Sequence, residues 1–156
     1  MTARDLDRRT FVVSAGAVAS LLAFTTGAFA QQQQNDAAAL DAALKKVMGD
    51  AKPTEGKIAL ELPEIAENGN TVPFSVTVES PMTDAAFVKA LHMFAPGNPQ
   101  ADVATFLFTP LSGKASVSSR MRLGRTQDVY ALAEMSDGKF FVSKRTVKVT
   151  IGGCGG

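Results

Sequence analysis

One cysteine and one histidine in 156 residues exclude much of the chemistry that side chains perform. A lone cysteine, Cys154, closes no intramolecular disulfide and builds no multi-thiolate metal site. A lone histidine, His92, excludes a His-rich metal centre and leaves little room for Ser-His or Cys-His catalysis. Charge of one sign is missing too: 16 Lys and Arg stand against 15 Asp and Glu, a net charge of +1. That balance argues against a nucleic-acid binder, which carries a clustered basic excess. What is present is the composition of an ordinary globular protein, 46% hydrophobic and 20% charged, at a length that fits one domain. Cys154 is therefore the residue to explain. It sits third from the end, with two glycines on each side.

The first thirty residues read as an export address. Arg8 and Arg9 precede Thr10-Phe11-Val12, and an apolar, small-residue stretch runs from about Val12 to Phe24. Ala28-Phe29-Ala30 supplies an A-x-A cleavage site, so residues 1–30 are expected to form a signal peptide and the mature chain to start at Gln31. The arginine pair resembles the twin-arginine export motif, with Asp7 where a Ser or Thr is usual. A membrane anchor is the competing reading. The apolar stretch is shorter than the roughly 18 residues needed to span, and nothing else in the chain is long and apolar enough. The expected location is a bacterial periplasm, without a stable membrane anchor. Removing residues 1–30 takes three Arg and two Asp, leaving 13 basic and 13 acidic residues in 126. A chain of that size buries roughly two thirds of its unfolded surface.

The hydrophobic period then changes along the mature chain. Gln31 to Asn35 reads as a polar leader expected to be disordered. Asp36 to about Met48 reads as a helix: Asp36 can cap it, Leu40, Leu44 and Val47 share one face, and Gly49 stops it. Residues 31–56 thus hold a leader and an N-terminal helix. From Lys57 the period is two. Ile58, Leu60 and Leu62 alternate with polar or small residues, as do Val72, Phe74, Val76 and Val78. Further runs follow at about 86–94, 102–109, 114–123, 127–135 and 139–151, separated by Pro, Gly, Asn and Asp clusters. The pattern predicts a mainly β protein: an Ig-like antiparallel β-sandwich of about seven strands over residues 57–151, with one N-terminal helix. Pro73 inside the second strand predicts an edge or a bulge there.

Residues 152–156 read Gly152-Gly153-Cys154-Gly155-Gly156. Four glycines give backbone freedom and no bulk, so the segment reads as a flexible arm carrying one thiol. Three residues reach roughly 10 Å beyond Ile151. The tail does not activate its own sulfur. A free thiol titrates near 8.5, activation needs a neighbouring cation or helix N-terminus, and the nearest basic residue in sequence is Lys148. No His, Asp or Glu lies within the tail to act as a base. Cys154 reads as an attachment point on which other proteins act. An odd cysteine in an exported protein also permits an incidental end or an interchain disulfide. A Gly-Gly terminus further suggests thiocarboxylate carriers, but that ATP-dependent chemistry is cytoplasmic and does not fit the export signal.

The tail Val147-Lys-Val-Thr-Ile-Gly-Gly-Cys-Gly-Gly156 resembles the terminal signature of the SoxY family, sulfur carriers of the periplasmic thiosulfate-oxidising (Sox) system. Glu61-Leu-Pro-Glu-Ile-Ala-Glu-Asn-Gly69, Ser80-Pro-Met-Thr83, Phe106-Leu-Phe-Thr-Pro110, Arg120-Met-Arg-Leu123 and Ser136-Asp-Gly138 also look family-like. The resemblance implies a heterodimer with a SoxZ subunit and covalent sulfur attachment at Cys154. It implies that a haem enzyme, SoxAX, couples thiosulfate to the thiol. A dimanganese hydrolase, SoxB, then releases sulfate, and in complete systems a molybdenum–haem enzyme, SoxCD, oxidises the remaining sulfur. The chain itself would be no enzyme and would bind no metal or cofactor. The competing function is a periplasmic β-sandwich interaction module whose tail cysteine forms an intersubunit disulfide; a third is a stand-alone thiol enzyme. The remaining residues carry blander expectations. His92 is assigned a structural role, and Met82, Met93, Met121 and Met135 are assigned to core packing. Ser80-Pro81 and Asn98-Pro99 read as turns, and Arg120 and Arg122 as a solvated face with partner contact as the alternative.

Overall fold

The computed structural model describes residues 31–152. Helix α1 covers 31–48, and a compact unit begins at Ala37. Nine strands follow: β1 Thr54–Glu55, β2 Ile58–Glu61, β3 Ile65–Asn68, β4 Val72–Val78, β5 Val88–Phe94, β6 Asp102–Leu107, β7 Ala115–Met121, β8 Gln127–Met135 and β9 Phe140–Ile151. They form two sheets, one in the order β1-β9-β8-β5-β6 with β3 also on β9, the other β2-β4-β7. The β-sandwich with one helix is as expected from the sequence, and all seven alternating runs are strands. β1 and β3 are additional, and both run parallel to β9. They are stretches of two and four residues on a chain that passes from one sheet to the other, too short to show a period. Together they cover the outer edge of the longest strand, an edge that would otherwise offer unpaired backbone groups.

The helix starts earlier than expected. Residues 31–35 are helical, so Asp36 lies inside α1 and does not cap it. Glutamine is a good helix former, and the tract feeds directly into Ala37-Ala38-Ala39, so propensity favours continuation. At the other end the Gly49 N–H donates to the Lys45 carbonyl over 2.9 Å, with Gly49 at φ +61. That is the left-handed stop a glycine permits.

Alternation sorts each strand into two faces. Val72, Val76, Leu91, Met93, Val129, Ala131, Ala133 and Val147 are fully buried between the sheets. Met82, Met121 and Met135 join Met93 in this core, as assigned from the sequence. The opposite face of β5 and β8 carries Phe94 and Leu132, and α1 lies over them with Leu40, Ala43, Leu44, Val47 and Met48. Each Val, Leu, Phe or Met side chain fully taken from water contributes about 1.5–3 kcal/mol before entropy is counted. Pro73 pairs with Arg120 of β7, but β2 reaches β4 only as far as Glu61 opposite Ser75. At Pro73 the middle strand therefore has one neighbour, and the missing N–H breaks no second ladder.

Candidate functional site

The described chain ends where the expected arm begins. Gly152 lies directly after β9, whereas Gly153, Cys154, Gly155 and Gly156, like Arg8 and Arg9, fall outside the described residues. Three segments meet at this end of β9. On one side β3 pairs in parallel, Asn68 opposite Ile151, and the Gly69 N–H donates to the Ile151 carbonyl over 2.7 Å. The Gly69 carbonyl in turn accepts from the Leu123 N–H over 2.8 Å. The loop between β7 and β8 closes the other side. Its Thr126 Oγ1 accepts from the Val149 N–H over 3.0 Å.

Gly152 packs directly on the Gly124 backbone of that loop. A Cβ on Gly152 would sit 3.2 Å from the Gly124 carbonyl carbon and deep inside the radius of its oxygen. Glycine is required here by close approach of two backbones, which no side chain could relieve by rotating.

The loop that meets Gly152 is held by a polar network. The Asn98 side-chain Oδ1 accepts from the Gly124 N–H over 2.9 Å and from Gln127 Nε2 over 3.0 Å. The Asn98 amide donates to the Arg122 carbonyl over 2.8 Å. Gln127 Oε1 accepts from the Gly97 N–H over 2.7 Å, and Gln127 Nε2 also reaches the Arg125 carbonyl at 3.3 Å. A Cβ on Gly97 would meet the Gln127 side chain at 2.9 Å, so this contact too is tailored to glycine. Gln127 is 6% exposed and is the buried polar residue among those described. With both ends of its amide bonded, its burial is compensated and it stiffens the loop.

Sequence reasoning gave Asn98 and Gly124 only turns and did not single out Gln127. A signal for Gln127 was present. It occupies the core-facing phase of β8 with Val129, Ala131, Ala133 and Met135, where an amide demands partners. Arg120 and Arg122 are both exposed, Arg120 on the outer sheet face and Arg122 beyond the end of β7.

His92 lies away from this end of β9, in a shallow groove with Lys46, Asp102, Thr105 and Glu134. Its Nδ1 shares a 3.0 Å hydrogen bond with Thr105 Oγ1, its ring stacks on Phe94 at 6.3 Å, and its Nε2 is shielded without a partner. Burial holds its pKa below 6.5, against the opposing pull of Glu134 and Asp102. The neutral ring is thus favoured by folding. Stability is expected to hold above the unfolded value of 6.5 and to fall as pH drops through the lower folded value. Urea unfolding between about pH 7.5 and about pH 5.5 checks this, and His92→Asn is expected to flatten that part of the profile. Among the described residues no group of three His, Cys, Asp or Glu is placed to hold a metal ion.

Comparison with known proteins agrees with this architecture. The family described as Sulfur oxidation protein SoxY matches residues 44–154, a span that runs through to the cysteine. The sulfur carrier protein SoxY from Chlorobium limicola f thiosulfatophilum is similar in structure. It has a TM-score of 0.66 and 31% identity, covering 76% of this chain and 98% of that one. A superoxide reductase (neelaredoxin) from Ignicoccus hospitalis shares the fold at a TM-score of 0.55 and 16% identity, covering 70% and 86%. A putative superoxide reductase from Thermotoga maritima does so at 0.52 and 20%, covering 64% and 93%. Identity at those levels speaks to the sandwich alone. Among curated protein sequences none matches. The family match spans most of the chain and takes in both sheets, the end of β9 and Cys154: the chain belongs to the SoxY family of sulfur oxidation proteins.

Proposed function

We propose that this chain is a sulfur carrier that holds pathway intermediates covalently on Cys154 and presents them to partner enzymes. The observation that carries the reading is the family match extending to Cys154, three residues beyond a strand end held on both sides. The chemistry balances with partners supplying the reactivity. Thiosulfate adds to the cysteine sulfur with loss of a proton and two electrons to a haem partner of the SoxAX type, leaving an S-thiosulfonate. Water then cleaves the sulfur–sulfonate bond at a SoxB-type hydrolase, releasing sulfate and a proton and leaving a persulfide. A SoxCD-type enzyme would oxidise the remaining sulfur where the pathway has one. The carrier supplies only the thiol and its position, so it binds no cofactor of its own and is not an enzyme. The proposed setting is the bacterial periplasm, reached through the Arg8-Arg9 signal, in a heterodimer with a SoxZ-type subunit.

Gels and native mass separate this reading from its competitor. The purified complex is expected to hold one copy each of this chain and a second, different chain, held together equally well with and without reductant. A constitutive dimer joined through Cys154, unaffected by sulfur supply, would instead establish the cross-linking module.

A further inference from the structure

Four glycines around a cysteine suggest a tether that pivots from its first residue. The contacts of Gly152 give that residue a different task. The strand leading to it is held by Gly69 on one side and by Thr126 on the other. Its own backbone rests on Gly124, too closely for any Cβ. Gly124 is itself fixed, because its N–H donates to Asn98, which is bonded in turn to Gln127 and to the Arg122 carbonyl. A run of hydrogen bonds thus leads from the buried Gln127 through Asn98 to Gly124, on whose backbone the last described residue packs.

We propose that Gly152 is a seat and not a hinge. Gly124, braced by Asn98 and Gln127, holds the first glycine of the terminal segment and sets the point from which the chain departs toward Cys154. Asn98 and Gln127 are then positioning residues for sulfur loading, although neither meets the substrate. The inference rests on Cys154 being the carrier cysteine. It adds that where the thiol goes is set by the fold and not by the tail alone.

The two ideas about glycine make different forecasts. A tail that needs only slimness tolerates any change in the Asn98–Gln127 network, because the tail sequence is untouched. A seated tail does not. Displacing reacting groups by about an ångström costs on the order of 100-fold in rate. A shift of that size follows from forcing a methyl group between Gly152 and Gly124.

The test compares two rates in Gly152→Ala, Asn98→Ala and Asn98→Asp chains. One is sulfur loading of Cys154 in thiosulfate-oxidising cells, followed by mass. The other is alkylation of the same thiol by iodoacetamide in the purified complex. The seat predicts that Gly152→Ala and Asn98→Ala load roughly ten-fold or more slowly, with alkylation unchanged. Asn98→Asp keeps the oxygen that Gly124 and Gln127 use but sets a second oxygen against the Arg122 carbonyl where Nδ2 donated, so it too is expected to load more slowly than wild type. It also serves where Asn98→Ala folds poorly, as judged by its urea midpoint. Wild-type loading of Gly152→Ala overturns the proposal. So does slow loading of Gly152→Ala beside normal loading of Asn98→Ala, which would leave slimness as the glycine's only task. A parallel fall in alkylation overturns it as well. Cys154→Ser, run alongside, separates the two readings: sulfur loading that survives it defeats the carrier assignment itself, whatever the seat variants do.

Discussion

A Cys154→Ser chain is expected to carry no sulfur and to unfold at the wild-type urea concentration. Serine keeps the size of the residue but removes the atom that can be oxidised onto thiosulfate. The chain contains no second cysteine to substitute for it. Loading should therefore fall to background, a complete loss and not a fractional one. The fold should not register the change. Among the described residues, the last one packed against either core is Val149, and the serine stands in a glycine-flanked terminal segment beyond it. Surface substitutions away from packing and hydrogen-bond networks stay within about 0.5 kcal/mol. Mass spectrometry of the terminal peptide reads the loading, and a urea titration reads the stability. A serine variant that still gains sulfur would place the attachment elsewhere.

Phe94→Ala is expected to bring the largest loss of stability of any single truncation considered. Phe94 is among the largest fully buried side chains and lies with Leu132 in the layer that α1 covers. Its ring also stacks on His92. Truncation leaves a cavity between helix and sheet and costs about 3–5 kcal/mol. That is a large part of the roughly 5–15 kcal/mol that holds a domain together. With a urea slope of about 1–3 kcal/mol per molar, the midpoint should fall by roughly 2 M. An unchanged midpoint would mean that the helix is not held through this layer.

These two positions lie at opposite extremes of what the sequence made legible. Cys154 stands out by scarcity alone, as one thiol amid four glycines, and the surrounding tail carries the family signature. The helix facing Phe94 was readable from Leu40, Leu44 and Val47, because an amphipathic stripe repeats within a few residues. The long strands were readable for the same reason at period two. β1 and β3 were not, because a pairing of two to four residues on β9 is decided by where the chain crosses between sheets. Nor was the close packing of Gly152 on Gly124. A glycine needed for freedom and a glycine needed for contact are the same letter, and only the partner's position tells them apart. Asn98 illustrates the same limit: next to Pro99 it reads as a turn, while its side chain ties two loops together.

The most direct measurement is the mass of the terminal peptide containing Cys154, taken from cells oxidising thiosulfate and from the same cells deprived of it. The carrier account predicts sulfur or thiosulfonate added to Cys154 in the first sample, removed by reductant, and depleted in the second. A cysteine found only as free thiol in cells actively consuming thiosulfate would contradict it.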